Sequence, residues 1–281
     1  MKTVAIFGVG LIGGSFALAL RRAGFTGEII GVSSPETVEK ALELQVIDRA
    51  LSEREAAESA DLLYLSQPIL RIIEVLPRLN DWVRTGALIT DAGSTKKDIV
   101  AAGQSITRCQ FLGGHPMAGR EKRGVEAAEA ELFEGRPYVL TPLTPAAMES
   151  PQARDLLSWI GRIGASAIVM PPEDHDRVVA FTSHLPQLAS TALASLLSNR
   201  KEPASGVFGP ALVDSTRLAL SSYEIWGDIV ATNRDAIRLA LQAYIHQLEK
   251  FSQALERNGL SAPFEQAGQF ASQLRSPDSR S

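Results

Sequence analysis

The sequence predicts an α/β fold: an N-terminal doubly wound, mostly parallel sheet over residues 1–170, followed by an all-helical domain over residues 171–281. Three observations predict it. Short apolar runs alternate with helical stretches as far as Met170, as βαβ units require. Those runs lack polar alternation, Leu62-Leu63-Tyr64-Leu65 among them, so the sheet is covered on both faces. After Pro171-Pro172 the strand signal stops and long helical stretches take over.

The elements follow in order. Val4 to Phe7 is a short β-type run that ends at glycine, and Leu11 to Ala23 is a helix stopped by Gly24. Ile29 to Val32 is the next strand, residues 36–44 a helix, and Leu62 to Leu65 a third strand. Ile69 to Leu76 is helical, Ala87 to Thr90 a strand, and Thr95 to Ala102 a helix. Cys109 to Leu112 and Tyr138 to Thr141 are extended, and a helix over 151–163 leads into the last strand, Ala167 to Met170. Beyond it helices are expected over 173–198, 204–221, 223–257 with a break near Gly227, and 263–274. The polar tail from Arg275 to Ser281 is expected to be disordered.

Composition narrows the classes of function. The chain has 281 residues, 45% of them hydrophobic and 21% charged, enough for two ordinary domains. The formal net charge of -4 argues against nucleic acid as a partner, which would need a clustered basic surface. Cys109 stands alone, so no intrachain disulfide is possible and a reducing compartment is expected. The run Val4 to Phe7 is too short for a signal peptide, and no stretch reaches the ~18 apolar residues of a membrane span. A cytoplasmic protein that does not enter membranes is the expectation. The histidines show neither i, i+4 spacing nor clustering with acids, so no metal site is expected.

Gly8-Val9-Gly10-Leu11-Ile12-Gly13 is a G-x-G-x-x-G run between a strand and a helix, the context in which it binds a dinucleotide. Gly8 permits the tight turn, Gly10 lets the backbone approach the pyrophosphate, and Gly13 lets helix and strand pack closely. The helix N-terminus, with Leu11 and Ile12 in its first turn, offers N–H groups to the anion. The N-terminal domain is therefore expected to be Rossmann-type. An acid after the second strand would bind the ribose 2′-OH and repel a 2′-phosphate. Here the chain has Ser33-Ser34-Pro35, no acid and no adjacent arginine. The two serines favour NADP, with NAD also possible.

Three further segments join the glycine run in a specific combination: Asp91-Ala92-Gly93-Ser94-Thr95-Lys96, Gly113-Gly114-His115-Pro116-Met117-Ala118-Gly119, and Ser183-His184-Leu185-Pro186. Together with Asp214-Ser215-Thr216-Arg217 and Trp226-Gly227-Asp228, this set resembles the prephenate/arogenate dehydrogenase family over residues 1 to about 255. The resemblance implies oxidation of a cyclohexadienol with expulsion of the ring carboxylate as CO2, on the path to tyrosine.

That reaction needs a base that is neutral near pH 7, which suits histidine. His115, expected on a loop at the carboxyl end of a strand, is the candidate. Ser94 is the candidate partner of His115 or of the substrate hydroxyl, or the N-cap of the following helix. Lys96 is either near the cofactor or solvated. Arg217 is expected to clamp the ring carboxylate, the alternative being a surface pair with Asp214. His184 is expected to contact substrate near its side-chain carboxylate, the alternative being a core histidine. His175, in an acidic first turn, reads as structural, and His246 as a surface or interface residue.

Arg120 departs from the small hydroxyl residue that family members often carry after the His-Pro-x-Ala-Gly run. It either reaches the substrate side chain or projects into solvent. With Glu121 and His184 it is a candidate for telling prephenate from arogenate, and the acid-free loop at Ser33 leans toward arogenate by analogy alone. Two other classes share the layout: a 2-hydroxy-acid or β-hydroxy-acid dehydrogenase, and a non-catalytic dinucleotide sensor. The first leaves the Gly-Gly-His-Pro segment unexplained, and the second predicts tight dinucleotide binding without turnover of a cyclohexadienol. Finally, 185–197 and 236–248 carry apolar residues on more than one face, more than one helical layer can bury. A homodimer through the helical half is therefore expected.

Overall fold

The computed structural model describes residues 1–120, 122–200 and 206–276. The first half runs β1 (Thr3–Phe7), α1 (Leu11–Arg22), β2 (Glu28–Val32), α2 (Pro35–Glu43), β3 (Arg49–Ala50), α3 (Glu53–Ser59), β4 (Leu62–Leu65) and α4 (Ile69–Trp82). It continues with β5 (Leu88–Asp91), α5 (Lys97–Gly103), β6 (Gln110–Pro116), β7 (Pro137–Pro142), α6 (Pro151–Arg162) and β8 (Ser166–Val169). The described residues form one eight-stranded sheet in the order β3-β2-β1-β4-β5-β6-β7-β8. Strands β1 to β6 are mutually parallel, β7 runs antiparallel to β6, and β8 is parallel to β7.

Successive strand residues point to opposite faces, so the apolar runs feed two cores. Val4, Ile6, Leu62, Tyr64, Leu88 and Leu112 pack with Phe16 and Phe133 on one face. Ala5, Phe7, Leu63, Leu65 and Ile89 pack with Ile72, Leu76 and Leu79 on the other. Each fully buried side chain of this kind contributes roughly 1.5–3 kcal/mol, which fixes the register and hence the strand ends that carry the site.

The second half contains no strand among the described residues. α7 (Pro172–Val179) passes through a π-helical turn, Ala180–His184, into α8 (Leu185–Ser198). α9 (Pro210–Thr216) is followed by the 3₁₀ turn Arg217–Leu220, α10 (Tyr223–Thr232), α11 (Arg234–Glu256) and α12 (Ser261–Gln273). This half docks on the sheet unit: Ile229 and Ile237 join the core that contains Ile72 and Leu76, and Leu70 N donates to Asp228 Oδ2 at 3.2 Å. No helix of the described residues is long and apolar enough to cross a membrane.

Several expectations are corrected. β3 and α3 go unread between residues 44 and 62. β3 is a two-residue exposed strand with no apolar signal, whereas α3 carries a capping box, Ser52 with Glu55, which the sequence does display. α4 runs through Pro77 to Trp82 instead of stopping before the proline. The break in the long helical stretch falls at Asn233, whose φ of -130° leaves the helical region, and Gly227 lies inside α10. β6 extends to Pro116, so His115 is a strand residue and not a loop residue. Residues 204 and 205 of the expected helix, Glu121, and 277–281 of the expected disordered tail lie outside the described residues.

Candidate active site

The sheet order reverses at the junction of β1 and β4, which opens a crevice above their carboxyl ends. A cavity of about 590 Å³ there is lined by Gly8, Gly10, Ser33, Ser34, Thr37 and Glu53, with Gln67 and Arg71 from the β4–α4 side. The glycines of the turn differ in why they are needed. Gly8 has φ +91°, and a Cβ on it would meet the Ser66 and Gln67 backbone at 2.9 Å. A Cβ on Gly13 would lie 2.3 Å from the Gly8 carbonyl oxygen. A Cβ on Gly10 would meet nothing within 4 Å, so the protein itself has no use for glycine there. The room is for a ligand that approaches the backbone.

Two further features fit a dinucleotide. α1 has no side-chain cap and no acid in its first turn, so the N–H groups around Leu11 and Ile12 face an anion without competition. Gln67 Oε1 is buried without a hydrogen-bond partner, an acceptor waiting for a donor from the ligand. Arg71, which is not adjacent to Ser33 and Ser34 in the sequence, lines the same cavity. It reaches the cavity from the first turn of α4, where Glu53 holds it at 3.0 Å and Glu74 at 2.8 Å. Glu53 also binds Arg78 at 2.7 Å. No local pattern announces Arg71, because it comes from a different strand–helix connection than Ser33.

The chemistry-bearing residues stand at the carboxyl ends of β5 and β6, on the same edge of the sheet. Asp91 ends β5. Its Oδ1 accepts from Gly114 N at 3.0 Å, and its Oδ2 accepts from Gly93 N at 2.8 Å and from Lys96 Nζ. Lys96 is fully buried and also donates to the Gly114 carbonyl at 2.6 Å, so it is neither solvated nor mobile. Burial holds the Lys96 ammonium below its ordinary pKa, while Asp91 pulls the other way. Gly114 must be glycine, since a Cβ would lie 2.5 Å from the Asp91 carbonyl oxygen. This lattice of donors and acceptors fixes the strand residue that follows, His115.

His115 Nδ1 lies 2.8 Å from His175 Nε2, and the rings meet edge to face at 5.0 Å between centroids. His175 Nδ1 in turn lies 2.8 Å from Asp176 Oδ1. His175 is fully buried and belongs to this network, which corrects its reading as purely structural. Asp176 accepts from Lys96 N at 2.7 Å and Lys97 N at 3.0 Å, capping α5 from the second half of the chain. The cap position of α5 is Lys96, so Ser94 is not its N-cap. Nor does Ser94 hold His115 Nδ1, because His175 occupies that nitrogen. Burial, followed by the charges of His175, Lys96 and His184, pushes the His115 pKa well below its ordinary value.

His184 emerges from the π turn, a feature often found at functional sites. It is buried against Trp226, edge to face at 5.7 Å, with Asn233 Nδ2 at 3.3 Å from its Nδ1. Burial pushes its pKa down to about 4, against the pull of Asp176. Arg217 is exposed at the start of the 3₁₀ turn. That turn is pinned to α8 by Gln187 Nε2 donating to Leu218 O at 2.7 Å, and the end of α9 just before it by Ser190 Oγ donating to Ser215 O at 2.7 Å. Arg120 is exposed and paired with Glu129 at 2.5 Å, beside a small cavity whose lining includes none of the histidines. His246 is on the surface, 3.5 Å from Glu249.

Comparison with known proteins shows the family. Residues 16–169 match the family model described as prephenate dehydrogenase, nucleotide-binding domain, and residues 171–266 match prephenate dehydrogenase, dimerization domain. The chain belongs to the prephenate dehydrogenase family. It is 34% identical to a prephenate dehydrogenase of Lactococcus lactis over 90% of this chain and 71% of that protein. The crystal structure of A. aeolicus prephenate dehydrogenase, in complex with hydroxyphenyl propionate and NAD+, superposes with a TM-score of 0.87 at 32% identity, covering 96% of each chain. Synechocystis arogenate dehydrogenase does so with a TM-score of 0.81 at 31% identity, covering 96% of this chain and 98% of that one. As a member of this family the chain is an NAD(P)-dependent oxidoreductase of tyrosine biosynthesis, and its second half is of the dimerization type.

Proposed function

We propose that the chain is a cyclohexadienyl dehydrogenase that acts on arogenate and prephenate, with His115 as the general base, and that it works as a homodimer with NADP preferred to NAD. The observation that carries this reading is the His115–His175 contact at 2.8 Å, at the carboxyl end of β6, on the sheet edge that also carries the glycine turn. It leaves His115 Nε2 as the nitrogen turned away from the network, and the lowered pKa keeps that ring neutral near pH 7.

The residues divide the work. The glycine turn of Gly8, Gly10 and Gly13 would hold a nicotinamide dinucleotide, which would supply a hydride acceptor for the ring carbon that carries the hydroxyl. His115 Nε2 takes the hydroxyl proton as the carbonyl forms. Loss of the ring carboxylate as CO2 then returns its electron pair to the ring, and the oxygen recovers its proton from His115 as the phenol. Ser94, half-buried between Asp91 and Lys96, orients the hydroxyl. Arg217 holds the ring carboxylate by a charge-assisted pair, and His184 meets the side-chain carboxylate.

Arogenate is the preferred substrate in this reading. Glu129 takes up the charge of Arg120, so that cation does not oppose an ammonium on the substrate side chain. At the ribose, Ser33 and Ser34 can donate to a 2′-phosphate, and Arg71 lies on the opposite wall. The dimer is supported by apolar side chains left in solvent on the helical half, Leu220 at 81% exposure and Phe264 at 66% among them. A reducing, cytoplasmic compartment suits the lone Cys109, whose thiol burial pushes up to about 12. The test is kcat/KM for both substrates with both cofactors. Faster turnover of arogenate with NADP is expected. Turnover of neither substrate would sink the reading, and a strong prephenate preference would reverse the side-chain assignment alone.

A further inference from the structure

The hydrogen bonds around Asp176 do more than hold two halves of the chain together. Asp176 Oδ1 already accepts from Lys96 N at 2.7 Å, and Oδ2 from Lys97 N at 3.0 Å. A carboxylate in that position is an acceptor only. His175 Nδ1, 2.8 Å from Oδ1, must therefore carry a proton. A neutral His175 then has a bare Nε2. That lone pair faces His115 Nδ1 at 2.8 Å, so His115 Nδ1 must carry a proton in its turn. A neutral His115 is left with its lone pair on Nε2.

Asp176 also sets the state of His184, through Asn233. Asn233 Nδ2 donates to the Asp176 carbonyl oxygen at 2.8 Å, which fixes the amide orientation. Its other N–H faces His184 Nδ1 at 3.3 Å, making that nitrogen an acceptor. His184 then carries its proton on Nε2. The two histidines are thus set to opposite tautomers, one to take a proton and one to donate a hydrogen bond to an anion.

We propose that Asp176 is a positioning residue that acts through His175 to present a bare Nε2 on His115, while Asn233, anchored on the Asp176 backbone, presents an Nε2–H on His184. The proposal rests on the reading of His115 as the base, and it explains why a residue of the helical half caps a helix of the sheet half. The substrate is met by the right tautomers only when the two halves are docked. As His115 takes the substrate proton, the charge it gains is shared along an imidazole chain that ends in a carboxylate, and no further bond is broken.

The direct test is nitrogen-15 spectroscopy of the full-length chain labelled in histidine. With 4 histidines in the sequence, single His→Gln variants assign every ring. Protonation on Nδ1 for His115 and His175, and on Nε2 for His184, is expected at neutral pH. A doubly protonated His175, or a neutral His115 with its proton on Nε2, would overturn the proposal. This readout needs no turnover, so it stands or falls apart from the substrate assignment.

Kinetics give the second arm. His175→Leu leaves Asp176 on the Lys96 and Lys97 N–H groups and removes only the link to His115. It should lower kcat about ten- to a hundredfold, part of the ~10²–10⁴-fold that loss of a base costs, with KM nearly unchanged. His175→Gln, whose amide oxygen can accept from His115 Nδ1–H, should recover part of the loss and covers the case in which the leucine variant fails to fold. Wild-type kcat in the leucine variant, or a change confined to KM, would refute the positioning role.

Discussion

The two halves of this chain finish their folding differently. The sheet half encloses the apolar residues of its central strands, Val4, Ile6, Phe7, Ile29, Leu63 and Ile89 among them, and leaves Leu44, Leu70 and Val169 only half exposed. The helical half leaves Leu196, Leu220, Tyr223, Leu255, Phe264 and Phe270 each more than 60% exposed. Dinucleotide binding belongs to the complete half, since every residue lining the cofactor cavity comes from residues 8–124. The proposed proton handling falls at the seam, where His115 meets His175. The comparison predicts that the two functions can be separated by mutation. His115→Ala should lower kcat by about 10²–10⁴-fold, the worth of a positioned base, while dinucleotide affinity by fluorescence titration stays within error. Near-wild-type turnover in that variant would show that the base lies elsewhere.

The exposed apolar face offers the next cut. Leu248 at 50% and Leu255 at 63% exposure lie seven residues apart on α11, and so on one face of the helix. Burying such a side chain against a partner is worth roughly 1.5–3 kcal/mol, and a carboxylate in its place reverses the sign. Leu248→Asp combined with Leu255→Asp should halve the mass seen by light scattering at micromolar concentration and lower substrate turnover, with dinucleotide binding retained. A wild-type monomer under those conditions would show that the exposed face is not a dimer interface.

The same contrast governs what the sequence makes legible. The strands of the sheet half are written as uninterrupted apolar runs because both faces are covered, and the glycine turn is written in adjacent residues. His115 and Ser94 stand in short motifs beside those strands. His175 was hidden, because Glu173-Asp174-His175-Asp176 has the composition of an ordinary helix start. Its partner is 60 residues away, across the seam. Arg71 was hidden for the same reason, since Ser33 and Arg71 meet only when β2 and β4 flank β1. Asn233 could not be told from any helix-breaking asparagine, whereas Gly227 drew attention as a glycine and turned out to be helical. Local motifs show residues that act through backbone shape, and only the fold shows residues that act through one another.

A smaller effect is expected at the substrate clamp. Arg217 starts a turn that Gln187 ties to α8, the helix that follows His184, while Ser190 ties the preceding end of α9. A charge-assisted hydrogen bond to a carboxylate is worth about 1.5–3 kcal/mol, so Arg217→Ala should raise KM by about ten- to a hundredfold. The proposed contact would be made in the ground state as well as the transition state, so kcat should change far less. Steady-state kinetics with arogenate decide it. A loss in kcat alone would make Arg217 part of the proton chemistry and shift the seam's boundary outward.

The smallest effect is expected where the complete half is cut within itself, at the ribose. Ser33 and Ser34 follow β2 on one wall of the cavity, and Arg71 stands on the other. Arg71 is held by Glu53 and Glu74, and Glu53 keeps a second partner in Arg78. A 2′-phosphate can therefore draw Arg71 without leaving Glu53 unpaired. These ion pairs are half-exposed, so each is worth only ~0–1 kcal/mol and the exchange is nearly neutral. Arg71→Ala should raise KM for NADP severalfold and leave KM for NAD almost unchanged. Ser33→Asp should act in the opposite sense on NAD, because the carboxylate accepts from the ribose 2′-OH and repels a phosphate. The double variant should combine the two shifts, since they lie on opposite walls and act on one group. Equal loss of both cofactors in Arg71→Ala would mean that the guanidinium serves the adenine or the cavity wall. A wild-type chain that strongly prefers NAD would place the ribose on Glu53 or the backbone instead of on the serines.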